Sequence, residues 1–444
     1  MHILIKNATI VNEGKILKRD VLIKDKFISK IDIDIKVDKS VKIIDATGKY
    51  LLPGLIDDQV HFREPGLTHK ANIATESRAA VAGGITSFIE MPNTIPQATT
   101  QELLANKFEI AANTSYANYS FMFGGTNDNL EEILKTNPKN VAALKLFLGS
   151  STGNMLVDDE EVLEKIFSST NMVIALHCED ETTIKNNLAT YKAKYGDDIP
   201  MEMHPIIRSA EACYISSSKA IKLAKKTGAR IHVYHLSTAI ETDLFTNKIP
   251  LKDKKITAEV CVHHLWFDDR DYKEKGAFIK WNPAVKSKKD KDTLLEALLD
   301  DRIDIIATDH APHTLEEKNN VYTKAPSGGP LVQHALLALL EMHKEAKISL
   351  EKIVEKACHN PAILYRIENR GYIKEGFYAD LVLVDLDKTQ TVTKENILYK
   401  CGWSPFEGTT FSSTILTTFV NGNIIYDNGV FEDDVKGMRL LFDR

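Results

Sequence analysis

Short apolar runs alternate with longer segments of helical spacing through most of this 444-residue chain. From residue 53 onward we count eight strand-like runs separated by segments with a helical period. Repeated strand and helix units predict a parallel sheet, and eight of them predict an α/β fold of the (β/α)8 TIM-barrel class. The predicted strands are residues 55–61, 85–91, 119–123, 142–148, 172–177, 231–236, 256–262 and 303–308. The clearest predicted helices are residues 74–82, 101–113, 209–226, 290–299 and 331–343.

Both ends of the chain have a different pattern. Residues 1–52 contain short alternating runs separated by turn residues, which is typical of strands joined by hairpins. Short strand-like runs return after residue 370, and Asn421-Gly422 within this part of the chain predicts a hairpin turn. We therefore predict a barrel over residues 53–370 and a small β domain formed by residues 1–52 and 371–444 together.

Composition narrows the class of protein. The net charge of -6 is spread without long blocks of one sign, which argues against a nucleic-acid partner. No stretch approaches the roughly 18 unbroken apolar residues of a membrane helix, and the N-terminus lacks a signal-peptide pattern. The five cysteines contain no Cys-x-x-Cys spacing, so a disulfide framework is not indicated. We expect a soluble cytoplasmic protein with reduced cysteines.

Polar residues with metal-binding chemistry follow several predicted strands. In a barrel the C-terminal strand ends meet on one face, where chemistry takes place. Imidazole and carboxylate groups suit a divalent metal such as zinc, and a bound metal lowers the pKa of water to about 7. One strand-end histidine alone is more often a hydrogen-bonded core residue, and the group as a whole favours a metal. The residues are His61, Lys145, His177, His235 and Asp309.

Lys145 is the unexpected member of this group. An ammonium next to a dication would be repelled, and its burial would be costly. The neutral amine can instead react with carbon dioxide and form a carbamate, an anionic ligand able to bridge two metals. The alternative is a structural lysine that extends out of the barrel end.

Six motifs, in order along the chain, resemble those of a dihydroorotase of the cyclic amidohydrolase group. The resemblance covers about residue 48 to residue 385. The motifs are His61-Phe62-Arg63-Glu64-Pro65-Gly66, Met91-Pro92-Asn93-Thr94, Leu144-Lys145-Leu146-Phe147, His177-Cys178-Glu179, Val262-His263-His264-Leu265 and Ala307-Thr308-Asp309-His310-Ala311-Pro312-His313.

This resemblance implies roles for individual residues. The zinc ligands would be His61, carbamylated Lys145, His177, His235 and Asp309. Asp309 would also relay the proton between the attacking hydroxide and the leaving ring nitrogen. The substrate would be held by Arg63, Asn93, Asn282 and His313. A guanidinium fork beside an amide suits a planar carboxylate.

The implied reaction is the reversible hydrolysis of (S)-dihydroorotate to N-carbamoyl-L-aspartate in de novo pyrimidine (UMP) biosynthesis, by metal-activated hydroxide. The resemblance also implies a homodimer. His310 is assigned a supporting role beside the site, and one of His263 and His264 is expected to be structural.

Gln59 departs from the family pattern Asp-x-His-x-His, because it occupies the place of the first histidine. A carboxamide oxygen is neutral and a poorer zinc ligand than imidazole. One zinc per subunit should therefore be tightly held, with a second weak or absent. Strand alternation predicts that Asp57, Gln59 and His61 share a face, and we expect Asp57 to form hydrogen bonds within the barrel.

Two alternatives stay open. Another cyclic amidohydrolase, such as a dihydropyrimidinase, hydantoinase or allantoinase, would use the same metal machinery. Arg63 with Asn93 argues for a ring that carries a carboxylate, which uracil-type rings lack. The second alternative is a catalytically silent dihydroorotase homologue that associates with aspartate transcarbamoylase, and Gln59 is the residue that favours it.

Overall fold

The computed structural model describes residues 2–149 and 155–444. Parallel strands form the predicted barrel, and we number them one to eight in chain order. The third is divided, because its first part pairs with strand two and its second part with strand four. The barrel strands are Leu55–Val60, Ile85–Glu90, Asn118–Phe121 with Phe123–Gly124, Leu144–Phe147, Ile174–His177, Ile231–Val233, Ile256–Cys261 and Ile305–Ala307. The predicted (β/α)8 fold is confirmed.

Strands eight and one meet just beyond their hydrogen-bonded ends. Val60 pairs with His310 in parallel, and the backbone N–H of His61 donates to the carbonyl of His310 at 2.7 Å. This contact places the C-terminal ends of the two strands side by side, so residues that follow each strand share one mouth of the barrel.

Helices follow most of the strands. The predicted helices at residues 74–82, 101–113, 209–226 and 290–299 are present with ends shifted by one or two residues. The α-helices are Ile73–Ala82, Gln101–Thr114, Leu130–Leu134, Glu160–Ser169, Glu181–Tyr195, His204–Ile207, Ala210–Thr227, Ala239–Thr242, Val262–Trp266, Tyr272–Lys275, Lys288–Leu299, Leu315–Lys318, Ala335–Lys344, Leu350–Val354 and Asn360–Tyr365.

The helix predicted from residue 331 begins four residues later, at Ala335. The preceding residues form a turn against the barrel mouth, where the backbone N–H of Leu331 donates to Nδ1 of His310 at 2.9 Å. This N–H group binds a side chain that is distant in sequence. The helical spacing of apolar residues does not reveal such a tertiary contact, so it does not show where the helix begins.

A second sheet contains strands from both ends of the chain. Tyr50–Pro53 pairs antiparallel with Leu381–Asp385, which joins the N-terminal strands to the C-terminal ones. The predicted hairpin at Asn421-Gly422 is confirmed, since both residues have positive φ, 50° and 77°. The strands of this sheet are His2–Asn12, Lys15–Lys24, Phe27–Asp32, Lys42–Asp45, Tyr50–Pro53, Leu381–Asp385, Thr414–Val420, Asn423–Asp427 and Val430–Phe431.

Apolar side chains fill the barrel on both sides of its wall. One cluster contains Ile56 of strand one, Ile89 of strand two, Val173 just before strand five and Ile305 of strand eight. Because strands one and five lie on opposite sides of the barrel, this cluster occupies its interior. A larger cluster lies between the strands and the surrounding helices. All five cysteines are free thiols, as expected. Among the described residues, no helix is both long and apolar enough to cross a membrane.

Candidate active site

Strand one contains an irregularity directly before the site. Its register with strand two shifts between Asp57 and Val60. Asp58 lies 3.6 Å from His232 of strand six, and Gln59 accepts from Cys261 of strand seven at 3.5 Å. Strands six and seven are not neighbours of strand one, so both contacts cross the interior. The prediction of strict alternation is therefore wrong here, because a bulge turns two consecutive side chains inward.

Asp57 has the hydrogen-bonding role that was expected. Its carboxylate accepts from the hydroxyl of Thr308 at 2.5 Å and from the backbone N–H of Thr308 at 3.2 Å. Burial is the main reason that its pKa rises to about 7. Asp57 thus links strand one to strand eight below the mouth.

The predicted ligands converge in two pairs at the barrel mouth. Nδ1 of His177 lies 3.0 Å from Nε2 of His235, and Nε2 of His61 lies 3.2 Å from Oδ1 of Asp309. Lys145 is 1% exposed and projects from strand four with its Nζ 3.9 Å from the ring centre of Tyr234. Five barrel strands or their C-terminal extensions therefore bring these side chains to the mouth as two close pairs and a buried lysine.

Two of the histidines have polar neighbours. Nδ1 of His61 lies 2.9 Å from Oδ1 of Asn93, which only accepts, so this nitrogen carries the proton and Nε2 faces Asp309 with a lone pair. Nε2 of His177 lies 3.0 Å from the carboxylate of Glu179, without hydrogen-bond geometry among the described residues, so Glu179 acts on this ring as a nearby negative charge. Orientation by a polar partner, as for His61, is typical of metal-binding histidines.

Burial sets the charge of this group. It keeps the pKa of His61 and His235 well below the usual value, so both imidazoles are neutral. It lowers the pKa of Lys145 to about 8, against the opposing effect of Glu259, and so increases the fraction of reactive neutral amine. It raises the pKa of Asp309 to about 7, with Lys145 opposing. Neutral imidazoles beside a carboxylate fit a divalent metal.

Three residues at this mouth have left-handed backbone. The φ angles of Arg63, His235 and Asp309 are 69°, 41° and 49°. Non-glycine residues adopt this region rarely, and at such positions it often marks a functional site. Each of the three follows a barrel strand directly or within three residues, where the turn directs the side chain back across the mouth.

The proposed substrate residues form a cationic wall beside the ligands. Arg63 is 8% exposed, donates from Nε to the carbonyl of Pro312 at 3.1 Å, and places Nη2 3.1 Å from Nε2 of His313. Lys70 lies 3.1 Å from Nδ1 of His313. Asn93 joins this wall to the ligands through its contact with His61.

Asn282 is placed at the same mouth by the contact of its neighbour Trp281 with Asp309. Trp281 donates from its indole N–H to the carbonyl of Asp309 at 3.3 Å, and Oδ1 of Asn282 is a buried atom with no hydrogen-bond partner among residues 2–149 and 155–444. His310 has its expected supporting role, because it contacts Glu76 at 2.9 Å and accepts from the backbone of Leu331.

Three partners in this region were not predicted as site residues. Arg208 binds the carboxylate of Glu179 through Nε at 3.0 Å and Nη2 at 2.6 Å, and Glu179 in turn faces His177. The spacing of Glu179, two residues after His177, is the only sequence signal for this support. Lys70 follows the motif that contains Arg63, and nothing in its spacing distinguishes it from a surface lysine.

Comparisons with known proteins agree with this geometry. A model of the amidohydrolase family matches residues 50–425. A dihydroorotase of Methanosphaera stadtmanae is 33% identical over 399 residues, covering 89% of this chain and 90% of the relative. A dihydroorotase of Lactobacillus gasseri is 32% identical over 438 residues, covering 97% and 100%. The solved structure of an L-hydantoinase (dihydropyrimidinase) from Arthrobacter aurescens has a TM-score of 0.93 at 27% identity and covers 99% of both chains.

Proposed function

Because this chain belongs to the amidohydrolase family, we propose that it is a dihydroorotase, which hydrolyses (S)-dihydroorotate reversibly to N-carbamoyl-L-aspartate. The reaction breaks the bond between a ring carbonyl carbon and a ring nitrogen and adds water across it. It belongs to de novo pyrimidine synthesis.

The buried guanidinium of Arg63 is the observation that carries this choice of substrate. It lies at the mouth next to His313 and within the same wall as Lys70 and Asn93. A buried cation without an anionic partner is costly, and a guanidinium matches a carboxylate in shape and charge. Dihydroorotate carries a ring carboxylate, whereas dihydrouracil, hydantoin and allantoin do not.

The proposed zinc ligands are His61, carbamylated Lys145, His177, His235 and Asp309. A metal bound there would act as a Lewis acid on the ring carbonyl. Asp309 accepts a proton from the attacking water and delivers it to the leaving ring nitrogen. Without a metal, burial raises the pKa of this carboxyl group to about 7, and a bound zinc ion would lower it and favour the proton-accepting form. Arg63, Asn93, Asn282 and His313 orient the substrate.

Gln59 limits the number of metals in this proposal. Its Oε1 atom accepts a hydrogen bond from Cys261, and a neutral carboxamide is a weak ligand. We therefore propose one tightly bound zinc per subunit and a second that is weak or absent. A homodimer is proposed from the resemblance, and a cytoplasmic location from the sequence pattern. Association with aspartate transcarbamoylase belongs to the alternative of a silent homologue.

Substrate competition tests the proposal. Ring opening of dihydroorotate, dihydrouracil, hydantoin and allantoin is measured with protein supplied with zinc and bicarbonate. We expect dihydroorotate to have by far the highest kcat/KM, and Lys145→Met to abolish its turnover. Preference for hydantoin or dihydrouracil would instead favour a hydantoinase, which the similarity to the Arthrobacter aurescens structure supports as second candidate. Absence of turnover with every ring would favour the silent homologue.

A further inference from the structure

Inside the barrel, below the mouth, three side chains converge that the proposed reaction does not use. Nε2 of His232 lies 3.1 Å from Oε2 of Glu259 and 3.6 Å from Oδ2 of Asp58. The three residues come from strands six, seven and one, and all are 0% exposed. Their ligand atoms all lie within 4.8 Å of one another.

The protonation of His232 follows from its neighbours. The hydroxyl of Thr257 donates to the carbonyl of Ile231 at 3.1 Å, so its oxygen accepts from Nδ1 of His232 at 2.8 Å. Nδ1 of His232 therefore carries the proton. Burial lowers the pKa of His232 to about 4, so the ring is neutral and Nε2 presents a lone pair to the two carboxyl groups.

The carboxyl groups of Asp58 and Glu259 both face Nε2 of His232, and burial raises the pKa of each well above its usual value, so without a cation they hold a proton at neutral pH. Oδ2 of Asp58 also accepts from the hydroxyl of Tyr365 at 2.8 Å, and Oε1 of Glu259 accepts from the backbone N–H of His235 at 3.3 Å. Oδ1 of Asp58 has no hydrogen-bond partner in the described part of the chain. Two buried carboxyl groups with a neutral imidazole need a proton or a cation between them.

We propose that Asp58, His232 and Glu259 bind a divalent first-row metal ion inside the barrel, separate from the metal site at the mouth. Ligand bonds of about 2.0–2.2 Å in tetrahedral geometry place neighbouring ligand atoms about 3.3–3.6 Å apart. The two distances from His232, 3.1 and 3.6 Å, lie close to this range. Two oxygen ligands and one imidazole suit Zn²⁺ or Mn²⁺.

The orientation of His232 fits a metal ligand, and a metal bound there would displace the proton that the two carboxyl groups share. Thr257 holds the ring by the nitrogen that faces away from the cluster, which is the usual arrangement for a metal-binding histidine. Lys145 is a nearby cation that acts on Glu259. In the carbamate form that the proposed function requires, Lys145 becomes anionic, and the need for a cation at Asp58 and Glu259 increases.

Anomalous diffraction tests this site. Crystals of the full chain prepared with zinc are measured at the zinc absorption edge, and the zinc content of the same protein is determined by mass spectrometry. We expect a peak within bonding distance of Asp58, His232 and Glu259, in addition to density at the mouth. Asp58→Asn should lose this peak and about one equivalent of zinc while it keeps the density at the mouth.

Asp57→Asn is the matched control. It removes a carboxylate of the same strand, equally buried at 3% exposure, whose partner is Thr308. It should retain the inner peak. If Asp58→Asn does not fold, His232→Gln replaces it. Density confined to the mouth in the unaltered protein, or equal zinc content with and without Asp58, would overturn the inference. Because the two positions are separate in the map, failure of dihydroorotate turnover has no bearing on this result.

Discussion

Replacement of Arg63 by lysine and by methionine separates the geometry of the guanidinium from its charge. Arginine anchors itself by Nε on the carbonyl of Pro312, and its Nη2 lies 3.1 Å from Nε2 of His313, so the remaining N–H groups of the guanidinium are those available to a carboxylate. Lysine keeps the charge but has no second donor for that anchor. Methionine keeps the apolar stem and removes both the charge and the donor that binds Pro312.

The size of each effect follows from these contacts. Loss of one charge-assisted hydrogen bond costs about 2 kcal/mol, which is roughly 30-fold in kcat/KM for Arg63→Lys. Removal of one partner of a buried charge pair costs about 3–5 kcal/mol, or roughly 150- to 5000-fold for Arg63→Met. Because the substrate carboxylate is far from the reacting bond, Arg63 holds it in the ground state as well as in the transition state. Most of the loss should therefore be in KM.

Steady-state kinetics of dihydroorotate ring opening measures these losses, and thermal unfolding verifies that each variant is folded. Lys70→Met is the matched control, because Lys70 adds positive charge to the same wall but is paired with Glu317 at 2.9 Å. We expect a change of about threefold or less for this partly exposed pair. An equal, small loss for both Arg63 variants, or a loss in kcat with unchanged KM, would refute a role in carboxylate binding.

Three further predictions concern metals and pH. Gln59→His should raise the zinc retained after mild chelation by one equivalent above that of the unaltered protein, by metal analysis. Removal of all metal should abolish ring opening, and added zinc should restore it. Asp268 is 1% exposed, and Arg270 with Lys291 holds its pKa below the usual 3.8 despite opposing burial. This stabilisation is complete above about pH 5 and is lost as the pH falls through the lowered pKa. Asp268→Asn should therefore cost about 2 kcal/mol of unfolding free energy at pH 7 and less at pH 3, by denaturant titration.

For each of these three predictions, one experimental result would contradict it. Two equivalents held at the mouth of the unaltered protein would show that Gln59 does not weaken the site. Full turnover by protein free of metal would exclude metal chemistry there. An equal loss of stability at both pH values would mean that Asp268 contributes packing and not charge, and Asp292→Asn, on an exposed ion pair with Lys288, gives the baseline for such a change.

The barrel could be predicted because its strands are buried on both faces and several therefore form continuous apolar runs, such as residues 172–176. Candidate ligands such as His177 could be recognised because they end or directly follow a predicted strand, whereas Lys145 lies within strand four. Both inferences use only the local sequence and need no knowledge of which residues face each other in the folded protein.

The bulge at Asp58 and Gln59 could not be predicted in the same way. A period of two assigns Asp58 to the outer face, and only the register with strand two reveals that it turns inward. The pairing of Arg208 with Glu179, and of Lys70 with His313, joins segments far apart in sequence. Such contacts depend on loop paths, which local patterns do not determine.

The left-handed backbone at Arg63, His235 and Asp309 has a consequence for engineering. A side chain in this conformation costs roughly 1–2 kcal/mol relative to glycine at each position. A selection for heat resistance alone would therefore accept glycine at the three positions proposed to bind the substrate and the metal, and a library screened only for folding would accumulate stable proteins without activity. Any stabilisation of this chain must keep a selection for turnover in place, since stability and activity favour different residues at these positions.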